Sequence, residues 1–488
     1  MICLLAAFVL MPVMITGESL WLDEGDTAVY AMQPDFPSWL HHLTSDMNAD
    51  CQMPLTMLTS WVVGISWGTG EWLLRAQNFI FGGIALVAMY AMGRRAGLPW
   101  LPLLLAIQPF FWFYMDEARP YCAQIAGGSL LLWVLTKGCH ELADGNSWLT
   151  VFSLVALLAF TTSMLTAVSI AVVFACLLGV AGWPKPEEIK KPAVLLIFLW
   201  LLAAMLAGYY LWTVNRGATG SRIWGVDWKS LGFTCYEFIG VTGLGLSLEE
   251  LRNSARNSIT WENLKGFVLP VVFSANFVVL FSIYGWGWFR KRTPAPKLFT
   301  ACAIALVSII LGFATLSFLI HKPLWARHLS PALPMLVFME GVIIATVWNS
   351  QQIIPRIFAV SFLMFLALSS LNIRFHPRFA KDDYRTAAQI VKDSIANGQR
   401  VWWSAADYTG LYYGLSVDCN LQDSSCPVVL PHHKSTALLE QLPAPDVIII
   451  TRPEVCDPAH FVQNYLATKG YNELKEPAGF RIFKSPAP

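Results

Sequence analysis

The chain has 488 residues, of which 56% are hydrophobic and only 13% charged, with 21 Trp and a formal net charge of +1; its mean hydropathy is +0.52. That composition excludes an ordinary soluble enzyme and describes a polytopic membrane protein. A near-zero net charge gives no support for a nucleic-acid partner.

In chain order, apolar runs of spanning length fall at 1–16, 74–92, 98–114, 120–136, 148–162, 165–183, 193–212, 266–288, 298–320, 330–348 and 353–371, which predicts about eleven transmembrane helices. The first lacks a basic n-region and a small-x-small cleavage site, and is followed by many more apolar segments, so it reads as a retained helix. Compact basic turns carry Arg94 and Arg95, Lys137, Lys185 with Lys190 and Lys191, Arg290-Lys291-Arg292 with Lys297, and Arg356, and the excess of positive charge places them in the cytoplasm. The opposite, outer side then holds the loop 17–71, the turn 116–119, the loop 213–265, the turn 321–329 and everything after Leu371. The expected fold class is mainly α, a membrane domain over 1–371 with a small α/β domain over 372–488 on the outer side. In the latter, 382–396 has helical spacing and stops at Gly398, while 400–403 and 447–451 read as buried strands. It has no Gly-rich phosphate loop, so no nucleotide is assigned to it. Cys419 and Cys426 bracket a polar loop and could form a disulfide, whereas Cys3, Cys176 and Cys302 lie within spans as packing residues.

Four charged groups gather on the outer loops: Asp23-Glu24 with Asp26, directly after the first span; Glu71 and Arg75 at the start of the second; Asp116-Glu117-Ala118-Arg119-Pro120-Tyr121; and Lys322 with Arg327-His328. A transporter would concentrate ionisable groups at the midplane; here the clear midplane acid is Glu340, read as a paired structural residue. The bland reading of Asp23 to Asp26 is a solvated loop with an acid capping the next helix. Carboxylates and guanidinium groups at the membrane surface instead suit a reaction whose donor is a lipid phosphate and whose nucleophile is a neutral hydroxyl. Arginine grips and neutralises the departing phosphate, and an ionised carboxylate takes the hydroxyl proton. Two other readings use the same residues: a non-catalytic carrier or assembly factor for lipid-linked sugars, which needs the arginines but not Asp23, and a hydrolase with water as acceptor. Trp21, Trp39, Trp61 and Trp72 read as interface-belt aromatics; Trp325 fits either a belt or a sugar-stacking role.

The order Trp-Leu-Asp-Glu-Gly (21–25), Asp50-Cys51-Gln52-Met53-Pro54-Leu55, Glu71-x-x-x-Arg75, Gly93-Arg94-Arg95, Asp116 to Tyr121, Arg327-His328-Leu329-x-Pro331-Ala332-Leu333-Pro334 and Asp383-Tyr384-Arg385-x-Ala387-Ala388 resembles the C-type (GT-C) glycosyltransferases. The similar branch is glycosyltransferase family 39 and the aminoarabinose-transferase-like group, with the lipopolysaccharide galacturonosyltransferases. The resemblance implies a hexosyl- or pentosyl-transferase in a bacterial inner membrane. Its donor would be a polyprenyl-phosphate sugar, its acceptor a hydroxyl of an envelope lipid, glycan or protein, and its outcome inversion at the anomeric carbon. Carried over, Asp23 is the base, Glu24 the neighbouring acid that orients the acceptor or supports the loop, and Glu117 and Arg119 the second acidic motif. Arg327 and Arg75 go to the phosphate, with Asp116, Tyr121, Lys322 and His328 as further substrate-binding positions. By residue chemistry alone, either Asp23 or Glu24 could be the base. Asp23, Glu24 and Asp26 could also supply oxygen ligands to Mg²⁺ or Mn²⁺. The chain departs from the family's Asp-x-His-Pro-Pro-Leu-Tyr pattern at Gln52, Met53 and Thr56.

Overall fold

The computed structural model describes residues 1–140, 148–183, 189–190, 192–218, 228–247, 250, 265–289, 297–350, 352–416, 427–431, 439, 443–457, 459–474 and 477–486. Lys185, Lys191, Arg290, Lys291, Arg292, Cys419 and Cys426 lie outside the described residues.

The membrane part is helical wherever the sequence is apolar over a spanning length. It runs α1 (Ile2–Met14), then the first-loop helices α2 (Leu22–Ala31), α3 (Phe36–Ser45) and α4 (Pro54–Trp67), then α5 (Glu71–Ala76) leading into α6 (Asn78–Arg95). There follow α7 (Leu101–Ala106), α8 (Pro109–Met115), α9 (Tyr121–His140), α10 (Trp148–Thr162), α11 (Thr166–Ala181), α12 (Ala193–Asn215), α13 (Trp228–Phe238), α14 (Val268–Phe289), α15 (Lys297–Ile320), α16 (Leu333–Asn349) and α17 (Ile353–Phe375). Among the described residues, six helices are long and apolar enough to cross a membrane, and three shorter ones are also apolar. The chain is a multi-pass membrane protein, and Leu, Ile and Phe side chains of α12, α14, α15 and α17 point outward in numbers that only lipid would accept.

The third expected span, 98–114, is not one helix. Pro109 cannot donate to the ladder, so the chain breaks at Ile107–Gln108 between α7 and α8. The freed carbonyls find side-chain donors: Trp112 Nε1 donates to Ala106 at 2.6 Å and Ser370 Oγ to Ile107 at 2.8 Å. At the same break, Gln108 Nε2 donates to Glu340 Oε2 at 2.5 Å, which gives the midplane acid its partner. The turn before α16 is wedged against α9 at Gly128, where an added Cβ would lie 2.0 Å from the Pro331 carbonyl oxygen. Only glycine admits that approach, and it brings Arg327 beside the N-terminus of α9.

The C-terminal unit begins with α18 (Tyr384–Ala396), whose start is capped by Asp383, accepting from Thr386 N–H at 3.1 Å. Its sheet holds β1 (Val401–Ser404), β2 (Val428–Val429), β3 (Val447–Ile450), β4 (Asn472–Leu474) and β5 (Arg481–Lys484) in the order β2-β1-β3-β5-β4. β1 lies parallel to β2 and β3, and β5 antiparallel to β3 and β4. Successive strand side chains face opposite ways, so Trp403 packs with Tyr384 and Phe480 on one face of the sheet while Trp402 packs with Phe461 and Tyr465 on the other. The helices α19 (Asp407–Tyr412), α20 (Pro453–Cys456) and α21 (Phe461–Lys469) complete it. Both strands expected from the sequence are present, within a residue of their expected ends.

Candidate active site between the first loop and the C-terminal unit

Two neighbouring carboxylates on α2 face different surroundings. Adjacent helical residues are separated by about 100°, so Asp23 and Glu24 leave the helix on different faces. Glu24 goes inward. Arg75 Nε donates to its Oε1 at 2.8 Å and Arg75 Nη2 to its Oε2 at 2.7 Å, with both side chains fully buried. Glu24 also accepts from Ala118 N–H at 2.8 Å and Lys381 Nζ at 3.2 Å. The remaining Arg75 donors are used up on Thr16, the Glu18 carbonyl and the Ser19 carbonyl. Burial pushes Glu24 up, but Arg75, Lys381 and these hydrogen bonds outweigh it and hold the carboxyl at about 2. Asp116 belongs to the same network, accepting from Thr16 N–H at 2.6 Å and Thr16 Oγ1 at 3.0 Å and lying 3.6 Å from Lys381.

Asp23 stays partly exposed. Its Oδ2 accepts from Arg327 Nη1 at 2.6 Å, and the two side chains stay 18% and 27% exposed. The Arg327 guanidinium lies 5.7 Å from the Trp325 ring and 6.0 Å from Tyr121, which places it over an aromatic floor. Burial again raises the acid, and Arg327, Arg119 and Arg452 together lower it below the usual aspartate range, so Asp23 is ionised. Arg119 spans the base of the site: its Nη1 donates to Asp50 Oδ1 at 2.5 Å, the Asp23 carbonyl at 2.9 Å and Thr27 Oγ1 at 3.3 Å. Glu117 lies between the two networks with its Oε2 buried and without a partner among the described residues. Burial, reinforced by Glu24 and Asp23 against the pull of Lys381 and Arg327, raises it to about 8. Asp26 is also pushed well up, by burial and then by Asp50. Since Arg119 holds Asp50, Asp26 is the member of that pair that keeps a proton.

No family model and no curated protein sequence matches the chain. Among solved structures, ArnT from Cupriavidus metallidurans bound to undecaprenyl phosphate aligns over 100% of this chain and 98% of its own, with a TM-score of 0.52 at 15% identity. The apo form of the same protein aligns over 99% and 97%, with a TM-score of 0.51 at 14% identity. The chain has the GT-C fold. Within this GT-C frame, the structure gathers Asp23, Glu24, Arg75, Asp116, Glu117, Arg119, Tyr121 and Arg327, although they are up to 304 residues apart in the chain.

Two expectations change. Arg75, expected on a phosphate, has its donors committed to Glu24 and loop carbonyls. The metal set Asp23, Glu24 and Asp26 is not assembled either, because Glu24 is turned to Arg75 and Asp23 to Arg327; among the described residues no three His, Cys, Asp or Glu converge as ligands. His328 stacks on Phe313 of α15 at 6.1 Å, and its Nδ1 accepts from Trp325 N–H at 3.4 Å, so it shapes the turn that carries Arg327. Lys322 opens that turn, its carbonyl accepting from Ser317 Oγ. Gln52, at the family's His position, donates to the Ala218 carbonyl at 2.6 Å. Sequence reasoning missed Asp50, Lys381 and Arg452. Asp50 stood inside a quoted motif and Lys381 two residues before another, while Arg452 carries no sequence signal at all.

Proposed function

We propose that the protein is an inverting glycosyltransferase that moves a hexosyl or pentosyl group from a polyprenyl-phosphate donor to a hydroxyl of an envelope lipid, glycan or protein. The observation that carries this reading is the Asp23–Arg327 pair, an ionised acid and an arginine beside two aromatic rings, hydrogen-bonded to each other and partly exposed, on a GT-C scaffold. The undecaprenyl phosphate held by ArnT supports a lipid-phosphate donor. The lipid tail remains in the bilayer, and the donor phosphate takes Arg327 from Asp23. Asp23 then accepts the proton of the acceptor hydroxyl while its oxygen attacks the anomeric carbon. The bond from that carbon to the phosphate oxygen breaks, its electron pair stays on the phosphate, and Arg327 neutralises the charge. Glu117, protonated at neutral pH, offers a hydrogen bond to a phosphate oxygen. Glu24 and Arg75 hold the backbone of residues 16–24 and 118 in register around this chemistry, and Arg119 fixes the Asp23 main chain.

The membrane is the bacterial inner membrane in this proposal, with the site and the C-terminal unit facing the periplasm. A reporter fused after Pro488 should be active outside the cytoplasm; cytoplasmic activity would overturn the layout. For the chemistry, the test is purified protein with a polyprenyl-phosphate sugar, together with mass spectrometry of envelope glycolipids and glycoproteins from cells with and without the gene. Asp23→Asn should bind the donor and fail to transfer. A carrier would behave the other way, tolerating Asp23→Asn and failing on loss of Arg327.

A further inference from the structure

We infer that the C-terminal α/β unit completes the catalytic site, with Arg452 as a positioning residue that sets its charge beside the start of α2, over Trp21, and so acts through space on the Asp23 carboxylate. The inference rests on the reading of Asp23 as the base.

Arg452 lies in the turn between β3 and α20 at φ 43°, in the left-handed region that non-glycine residues rarely adopt. Such a conformation persists where its surroundings impose it, and here two contacts do so. Arg452 Nε donates to Asp382 Oδ2 at 2.6 Å, and the guanidinium lies 4.7 Å over the Trp21 ring. Trp21 is the residue from which α2 starts, two positions before Asp23. The pair with Asp382 uses only Nε, so the fork of Nη1 and Nη2 makes no hydrogen bond among the described residues.

The C-terminal unit is docked firmly enough to place this side chain. Thr409 Oγ1 donates to the Leu22 carbonyl at 3.2 Å, and Leu20 N–H donates to Tyr413 Oη at 2.8 Å. Arg385 donates to Glu71 Oε1 at 3.0 and 2.8 Å and to the Gly17 carbonyl at 2.8 Å. Gly25 backs directly onto α19, where a Cβ would fall 2.0 Å from Thr409 Oγ1. The loop is therefore clamped to this unit on both sides of Asp23.

The charges that act on Asp23 are Arg327 from the turn before α16, Arg119 from the turn before α9 and Arg452, set against Glu117, Asp26, Asp50 and the Tyr121 phenol. Once a donor phosphate has drawn Arg327 away, Arg119 is still shared with Asp50 and with the Asp23 carbonyl. The charge of Arg452 then keeps the carboxylate ionised. It acts through Asp23 and takes no part in bond making.

The experiment is the pH profile of kcat for wild type, Arg452→Gln and Arg452→Lys with a polyprenyl-phosphate sugar donor. Removing a cation makes the Asp23 proton harder to lose, so its pKa rises and the acid limb of the Gln variant should move up by about one pH unit. The ratio of variant to wild-type kcat should be lowest at acid pH and recover as the pH rises, while donor KM stays near wild type; Arg452→Lys should restore the limb. A drop equal at every pH, or no change, overturns the inference. Asp23→Asn in the same assay separates the two failures. If it transfers normally, the base reading has failed and this inference with it; if it is inactive and the Arg452→Gln limb has not moved, only the role of Arg452 is lost.

Discussion

The Glu24–Arg75 and Asp23–Arg327 pairs are both carboxylate–guanidinium pairs and begin one residue apart, yet their surroundings differ sharply. In the first, both partners are fully buried and the carboxylate takes five donors, two of them from Arg75. In the second, the pair shares one short hydrogen bond and remains partly open. An interior charge that is completely satisfied cannot exchange partners without leaving an uncompensated ion, whereas a half-open pair can trade one partner for a substrate phosphate. In the proposed mechanism Glu24 and Arg75 therefore belong to the scaffold, and Asp23 and Arg327 to the chemistry.

The largest effect that would test this contrast is on turnover. Asp23→Asn should lower kcat by about 10²–10⁴-fold because the amide cannot accept the hydroxyl proton. Its thermal stability in detergent should stay within about 1 kcal/mol of wild type, since the lost ion pair is partly solvated. If Asp23→Asn transfers normally and Glu24→Gln does not, the two pairs exchange roles.

Arg75→Ala should show the reverse signature. Leaving the Glu24 charge buried without its main partner costs on the order of 3–5 kcal/mol, read as a lowered unfolding temperature. A variant that unfolds like wild type but loses donor affinity would return Arg75 to the phosphate. Arg327→Lys comes next: a point ammonium loses the flat fork, and donor binding should weaken by about 1.5–3 kcal/mol. Unchanged donor affinity would remove Arg327 from the site.

A further test concerns Glu117, which lies between the two networks. Burial raises its carboxyl from 4.5 to about 8 in the folded protein, so the native state holds a proton that the unfolded chain releases earlier. The stabilising contribution is complete below about 4.5 and is lost as pH rises toward 8. Compared with Glu117→Gln, which is neutral at every pH, wild type should lose stability across that window. A constant difference in unfolding temperature between the two would show that Glu117 is not held protonated.

Hydropathy is a local sum, so the apolar segments and the α/β character of the C-terminal unit were legible in the sequence by itself. So was the order of the acidic and basic motifs, because each is a short string at the end of a span. The sequence did not show which acid meets which arginine. Glu24 finds Arg75 across 51 residues, Arg119 finds Asp50 across 69, and Arg327 finds Asp23 across 304. Each choice depends on the direction in which a helix points its side chain and on how closely helices approach, as at Gly128 and Gly25. The break at Pro109 was written in the chain, but its tolerance rests on Trp112 and Ser370 reaching freed carbonyls. Lys381 and Arg452 enter the site only because the C-terminal unit docks on α2. Ion pairing weakens with distance, so only the tertiary structure could decide which charges are buried in full pairs and which stay partly open.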